Sequence, residues 1–483
     1  MEARRRFQPA CFLLILRKEI LYAWGMPMGF RRSRFAVVTP ADERSSRVHI
    51  YHTLYDHHLV VDQSPEETVD AFMKKIECGA ALSETENQAA ATLAQMGVLV
   101  SADADEIGAF ESWYHNVLQG QSESMVAHIT TTMACNMRCR YCMEHAQLNQ
   151  SSFMDHETAM AAAAWLKRQI VRRNAKKLSL FFFGGEPLMN VPAIETISGD
   201  IKEFCKEEGV AFKAGAITNG TLLTREVSSI LAKAGLSWIK VTLDGDKRHH
   251  DRMRVFAKGG GTFDTIWENL GYAAKDLRLC IGGNFPDGDM CAFDSLLEKL
   301  AVAPWRHAIA DVRFKPIMKP GIGGRTAANR SCDHGAFTQE QVRMMLDMRE
   351  KINRTGLPTI NDPNVGPCDF YRNNIMTIGV GGEIYPCSGF VGISDFEIGS
   401  IRMDEPTEFG EQLKTLRSWC DNCKECSYLP VCAGGCRLPA YLSGRNVDAT
   451  VCDKDFYEKI VPYMLSARAN QDNAEAEPSG IFA

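Results

Sequence analysis

Two hydrophobic rhythms divide the chain near residue 120. Beyond it, short apolar runs of strand length alternate with longer stretches whose apolar residues recur at helical spacing. The runs at 124–131, 178–183, 211–218, 237–243, 277–285 and 311–317 read as strands. Those at 157–173, 191–206, 223–234, 262–274, 292–300 and 339–352 read as helices. Alternation of this kind predicts an α/β domain with a parallel sheet and helical crossovers, in which ligands bind beyond the C-terminal strand ends. Upstream, 47–110 reads as a small α/β domain, β-like at 48–54 and 59–61 and helical at 66–76 and 85–96. Val69, Phe72 and Ile76 share one helical face, and Gly97 caps the second helix before Val98, Leu99 and Val100.

At 483 residues the chain exceeds the size at which one core keeps growing, so two or three domains are expected. A net charge of −6 gives no reason to expect nucleic acid or a membrane surface as partner. Arg4, Arg5 and Arg6 precede an apolar run at 11–16 in the order of a signal peptide, but Arg17, Lys18 and Glu19 interrupt it and no small-residue cleavage site follows. Residues 1–46 are therefore set aside as a leader segment. No apolar run approaches the roughly 20 residues that span a bilayer. The 17 cysteines gather at ligand spacings within a large chain, which points to metal in a reducing, cytoplasmic setting rather than to disulfides. His49, His52, His57 and His58 lack cysteine or carboxylate companions at ligand spacing and read as solvated or structural.

The cysteines change the picture most. Cys135, Cys139 and Cys142 form a C-x3-C-x2-C loop directly after the first predicted strand of the large domain. Three thiolates so spaced can grip one iron–sulfur cube and leave its fourth iron open, whereas zinc sites favour paired C-x2-C halves. This loop resembles the hallmark of the radical S-adenosylmethionine superfamily, including the aromatic Tyr141 before the last cysteine. Gly184-Gly185-Glu186-Pro187, Thr218-Asn219-Gly220, Thr242-Leu243-Asp244-Gly245 and His250-Asp251-Arg252-Met253-Arg254 follow in the family's order. The resemblance implies a partial (β/α)6 barrel over 120–355, with S-adenosylmethionine as cofactor. It implies cofactor contacts from Tyr141, from the Gly184, Gly185, Glu186 and Pro187 loop, and from Thr218, Asn219 and Thr242. The residues themselves suggest that the glycines let backbone approach a ligand and that Glu186 offers a carboxylate acceptor. Asp244 and the His250, Asp251 and Arg254 group read as a hydrogen-bonded rim of the barrel mouth.

A second array, Cys368-x13-Gly382-x4-Cys387, Cys423-x2-Cys426-x5-Cys432-x3-Cys436 and Cys452, resembles the auxiliary-cluster extension called SPASM. By that resemblance Cys423, Cys426, Cys432 and Cys452 close one [4Fe-4S] cluster and Cys368, Cys387 and Cys436 hold another. The expectation is thus one catalytic and two auxiliary cubes, the latter in a C-terminal cysteine-rich domain over 366–465, followed by a disordered tail at 466–483. Two fully thiolate-ligated cubes need eight ligands and the motif supplies seven. Cys332, Cys420, a non-thiolate group or an open iron are the alternatives for the eighth position. A Gly-, Ala- and Asn-rich run at 322–330 reads as a mobile loop.

The resemblance further implies an enzyme that generates a 5′-deoxyadenosyl radical and takes a hydrogen atom from its substrate. The leading expectation is a maturase that installs a thioether or carbon–carbon crosslink in a ribosomally made precursor peptide, fed by a reductant such as flavodoxin or ferredoxin. The small N-terminal domain resembles the winged-helix-like segment of peptide-modifying relatives, where a leader peptide can add as a strand to a sheet edge. It reads equally as a packing appendage. Formylglycine generation on a sulfatase, dehydrogenation of a small molecule and a zinc-stabilised binding protein are the alternatives. Against the sulfatase branch stand two departures: no cysteine lies between Cys368 and Cys387, and Ser388 occupies the place where that branch carries an aspartate.

Overall fold

The structure is a computed structural model that describes residues 29–41, 46–64, 67–119, 122–142, 152–286, 290–317, 337–359, 368–403, 406–413, 415–442 and 444–473. The signal-peptide-like stretch, the run at 322–330, Cys332 and the chain beyond 473 lie outside the described residues. The chain divides into two compact units, residues 1–109 and 110–483.

The first unit contains β1 (Phe30–Arg32), β2 (Ala36–Pro40), β3 (Arg47–His52), β4 (His57–Asp62), α1 (Val69–Glu77), α2 (Glu84–Gln95) and β5 (Leu99–Ser101). Strands β2, β3 and β4 form an antiparallel sheet, and β1 pairs antiparallel with β5. The expected boundary at 47 is thereby corrected, because β1 and β2 lie in the stretch set aside as leader. These strands are three and five residues long, too short to show a period, and they gain their stability from partners far along the chain. Helix α2 opens on a reciprocal Ser83–Glu86 capping box, and Gly97 takes a φ of +76° just past its end.

The four histidines here are structural. His49 and His58 meet ring to ring at 2.9 Å, a ring nitrogen of His57 lies 2.9 Å from the Met96 carbonyl, and His52 is buried between Ser33 and Tyr55. Burial, with the nearby charge of His57, pushes the His52 pKa down to about 3. The folded protein therefore holds this ring neutral while the unfolded chain protonates it below about 6.5. Stability from this group is complete above that value and lost as pH falls toward the folded value, on the order of 4 kcal/mol in the acid limit. Amide exchange in β3 of the full-length protein, corrected for its intrinsic pH trend, should accelerate between about pH 6.5 and about pH 4. Unchanged protection of β3 over that range would contradict this account.

Helix α3 (Glu106–Gln119) spans the boundary at residue 109, and the second unit continues with β6 (Ser124–Thr132), α4 (His156–Arg173), β7 (Lys177–Gly184), α5 (Val191–Glu207), β8 (Ala211–Thr218) and α6 (Arg225–Lys233). Next come β9 (Leu236–Thr242), α7 (Lys247–Met253), α8 (Phe263–Ala273), β10 (Arg278–Phe285), α9 (Cys291–Ala301), β11 (Ile309–Pro316) and α10 (Gln339–Arg354). Strands β6 to β11 are all parallel and lie in the order β11-β10-β9-β8-β7-β6. The sheet does not close, since the free side of β6 pairs with β12 (Ile375–Ile378), which continues antiparallel into β13 (Glu383–Tyr385) and β14 (Gly399–Ser400). The remaining helices are α11 (Glu408–Leu413), α12 (Leu429–Cys432), α13 (Arg437–Leu442) and α14 (Lys454–Asn473).

Alternation along the parallel strands separates two faces. Leu180, Phe182, Ala216, Val241, Ile281 and Val312 pack outward into the main core beneath the helices. Phe181, Trp238, Cys280 and Ala310 form a small cluster on the inner face. Gly215 is required there, because a Cβ at this position would lie 2.1 Å from the Trp238 ring.

Helix α14 corrects the expected tail at 466–483, since it continues through residue 473. Its buried Ile460, Val461 and Leu465 account for this. Asn353 of α10 donates to Tyr463 at 2.8 Å and Phe337 stacks near Phe456, so the helix is docked rather than free. Among the described residues no helix is long and apolar enough to cross a membrane.

Candidate active site

The loop bearing Cys135, Cys139 and Cys142 leaves the C-terminal end of β6 and is pinned from two sides. On one side Gly185 N donates to Thr132 O at 3.0 Å and Glu186 N to Ala134 O at 2.8 Å. On the other, Arg138 N and Arg140 N donate to Val255 O and Met253 O at 2.9 and 3.0 Å, and Ala257 N donates to Asn136 O at 2.9 Å. A Cβ on Gly184 would sit 2.2 Å from Thr132 O, and one on Gly185 would sit 2.3 Å from Ala134 O. The two glycines thus admit the backbone of the cysteine loop.

Glu186 is bonded within the fold. Its side chain is completely buried, and its oxygens accept from Thr218 Oγ1 at 2.6 Å, Asn219 N at 2.7 Å and Leu188 N at 3.0 Å. Burial raises its pKa, and these three donors oppose the rise. The carboxylate therefore joins the end of β7 to the end of β8, within electrostatic reach of Cys135, Cys139 and Arg254. Asn219 Nδ2 donates to Asn136 Oδ1 at 2.9 Å and Asn136 Nδ2 to Thr221 Oγ1 at 2.8 Å, which ties the strand-end loop to the cysteine loop. Of the expected cofactor contacts, Tyr141, Gly184, Gly185 and Thr242 are half-buried at the mouth, while Glu186, Pro187, Thr218 and Asn219 lie buried beneath it.

Tyr141 anchors the far end of the loop. Its hydroxyl donates to Asp244 Oδ2 at 2.5 Å and accepts from Arg254 Nη1 at 2.7 Å and Asn284 Nδ2 at 3.1 Å. Asn284 N completes Asp244 by donating to Oδ1 at 2.8 Å. His250 Nε2 lies 2.9 Å from Thr262 Oγ1, and Asp251 Oδ1 accepts from Thr262 N and Phe263 N at the start of α8. The motif residues from Asp244 to Arg254 are therefore gathered into a rim that fixes Tyr141. Asn284 was missed from the sequence. Its only signal was its position at the end of a predicted strand, where every other motif also sits.

An open cavity of about 480 Å³ lies against the loop, lined by Cys135, Asn136 and the 256–259 turn. Burial pushes the Cys135 thiol up to about 11 and raises Cys139 as well. Without a metal these groups are thiols at neutral pH, so ligation would have to release their protons.

The C-terminal cysteines fall into two neighbourhoods. Cys368 and Cys436 hydrogen-bond to each other, with Cys387 within electrostatic reach of Cys368. Cys423, Cys426, Cys432 and Cys452 are linked by similar proximity, and Cys420 Sγ lies 3.6 Å from Cys423 Sγ. Arg437, fully buried, donates to the carbonyls of Gly434, Gly435, Val447 and Ala449 and so fixes the turn between Cys432 and Cys436. Among the described residues no three Cys, His, Asp or Glu side chains converge as one metal ion would need. A cube spreads its cysteine ligands over several irons, so the three thiols of the pinned loop suit it.

A parallel sheet that delivers three thiols on a braced loop to the mouth of an open barrel defines an iron–sulfur enzyme scaffold. Residues 129–283 match the family model of the radical SAM superfamily, so the chain contains a radical SAM domain. Members of this superfamily use S-adenosylmethionine and a [4Fe-4S] cluster. The chain is 23% identical over 360 residues to the Fe-coproporphyrin III synthase of Methanosarcina barkeri, covering 65% of this chain and 84% of that one. It is 23% identical over 359 residues to the cysteine-type anaerobic sulfatase-maturating enzyme of Clostridium novyi, covering 68% and 92%. Among solved structures, anSMEcpe with bound AdoMet superposes with a TM-score of 0.54 at 17% identity over 72% of this chain and all of that one. Streptococcus suis SuiB bound to its precursor peptide SuiA superposes with a TM-score of 0.50 at 15% identity over 88% and 99%. At these identities the structural likenesses establish the fold.

Proposed function

We propose that this protein is a radical peptide maturase that installs a thioether or carbon–carbon crosslink in a ribosomally made precursor. The observation that carries this reading is the braced Cys135, Cys139 and Cys142 loop at the barrel mouth, accompanied by a second cysteine array on a separate part of the chain. Cys135, Cys139 and Cys142 would hold the catalytic cube. The half-buried Gly184 and Gly185 backbone, Thr242 and the Tyr141 rim would border the cofactor, while Glu186, Thr218 and Asn219 hold those groups in place from below. When bound, the cluster and S-adenosylmethionine supply a 5′-deoxyadenosyl radical that removes a hydrogen atom from the substrate. The Tyr141, Asp244, Arg254 and Asn284 network keeps the mouth rigid, so that the reacting carbon is positioned rather than sampled. Cys423, Cys426, Cys432 and Cys452, and separately Cys368, Cys387 and Cys436, would hold two auxiliary cubes that take up or relay an electron.

The peptide assignment draws support from SuiB, crystallised with a precursor peptide, and from anSMEcpe, crystallised with a peptide. The N-terminal sheet, whose described edges are β2 and β4, would take the leader as an added strand. A flavodoxin or ferredoxin in the cytoplasm would supply the reducing electron. The test is anaerobic incubation of reduced, reconstituted protein with S-adenosylmethionine and the short peptides encoded beside its gene. A product lacking two hydrogen atoms, with a crosslink located by fragmentation, is the expected result. Removing residues through Asp105 should weaken affinity for that peptide by about tenfold or more, as loss of a strand-addition site would. Unmodified peptides alongside vigorous cofactor cleavage would overturn the maturase reading.

Formylglycine generation is the second reading, favoured by the sulfatase-maturating relatives and by the charge of Asp369 acting on Cys387.

A further inference from the structure

The inner face of the barrel carries a set of cations that the cluster loop does not use. Across the strands Lys240 pairs with Cys280 and Cys280 with Asp311, followed by Gly282 with Arg313 and Asn284 with Lys315. The Lys240 side chain lies across Gly282, where a Cβ would stand 3.0 Å from its Cε. It is close enough to Arg313, Lys315 and Asp311 to feel the charge of each. Arg349 of α10 reaches the same neighbourhood, within range of Arg313 and Asp311. Asp311 is the one acid in this set, and it is engaged by Arg313 at 3.3 Å.

Among the described residues neither Lys240 nor Lys315 has a hydrogen-bond or ion-pair partner, and Arg313 Nε is buried without one. Lys240 is half-buried and Lys315 is exposed, so both ammonium groups are open to a ligand, and like charges on one face repel one another until an anion offsets them. An anionic group of a ligand would supply that offset. Glycines at 215 and 282 let the Trp238 ring and the Lys240 side chain lie flat against the same face. The set also adjoins the reactive mouth, because Asn284, the cross-strand neighbour of Lys315, donates to Tyr141 of the cysteine loop.

We propose that Lys240 and Lys315 receive a carboxylate of the substrate, the side chain of an aspartate or glutamate in the peptide to be modified. The ammonium groups fix that residue in the lumen and so select which neighbouring carbon faces the mouth. This assignment rests on the peptide reading above, and the two can fail separately.

The test measures binding to full-length, iron-reconstituted protein by calorimetry. The probes are a short end-blocked peptide of glycine and alanine with one central glutamate, its glutamine isostere, glutarate, and glutaramide. Wild-type protein should prefer each acid over its amide by about tenfold or more, the worth of a charge-assisted hydrogen bond. The preference should disappear in Lys240→Gln/Lys315→Gln and persist in Lys240→Arg/Lys315→Arg, with circular dichroism and cluster absorption confirming that both variants are folded. Discrimination confined to glutarate would support the carboxylate site and count against the peptide reading. Peptide binding without preference for glutamate would overturn the carboxylate site and leave the peptide reading standing. No preference with either pair, or a preference that survives both lysine-to-glutamine changes, would also overturn the proposal.

Discussion

Replacing Cys135, Cys139 and Cys142 together with alanine should abolish cleavage of S-adenosylmethionine and leave roughly two-thirds of the iron, given a four-iron cube at each of three sites. The separation follows from where the thiols are held. The Cys135 loop is braced by β6, the Gly184–Gly185 turn and residues 253–257. The second array depends on different supports, chiefly the Arg437 bonds to the 434–449 carbonyls. Removing three partly exposed thiols deletes no core residue and none of the backbone bonds that brace the loop, so the fold should survive with small change in stability. Iron analysis and visible absorption of the anaerobically reconstituted variant, beside its circular dichroism, decide the matter. Loss of all iron from a folded variant would mean that the clusters assemble as one unit.

The parallel barrel strands and their helices were legible because each carries a period long enough to read and ends on a motif. The cysteine loop was legible because its spacing is chemistry, independent of tertiary context. What escaped was set by partners remote in sequence. Strands β1 and β2 show no alternation of their own and exist through pairing with β5 and β3. Continuation of α14 past residue 466 depends on docking against α10. The hydrogen bonding of Glu186 was hidden for the same reason. A carboxylate after two glycines suggests a ligand contact, and its bonds to Thr218 and Asn219, thirty-odd residues away, appear only in the fold. The Lys240 and Lys315 set was equally hidden, since single lysines within predicted strands carry no motif. Only the register of β9, β10 and β11 gathers them.

Reduced, reconstituted protein given S-adenosylmethionine and a sulfatase-type Cys-x-Pro-x-Arg peptide should form no formylglycine. Oxidation of a cysteine or serine side chain to an aldehyde needs a base within hydrogen-bond reach of the reacting group. Resemblance to the sulfatase branch assigns that work to an aspartate directly after the cysteine equivalent to Cys387, and here the residue is Ser388. Its hydroxyl hydrogen-bonds to the Cys387 thiol and starts the short 3-10 turn at Ser388–Phe390, so it is committed to positioning that cysteine. A neutral hydroxyl is also a poor proton acceptor near pH 7. The nearest substitute is Asp369, whose charge acts on Cys368, Cys387 and His128. It follows Cys368 at the start of another 3-10 turn, on a different segment of chain from the Cys387 turn. The expected outcome is therefore cofactor cleavage without aldehyde, read by mass spectrometry after hydrazide trapping. Stoichiometric aldehyde that disappears in Asp369→Asn, with cluster absorption intact, would instead place the chain in the sulfatase branch with Asp369 as its base.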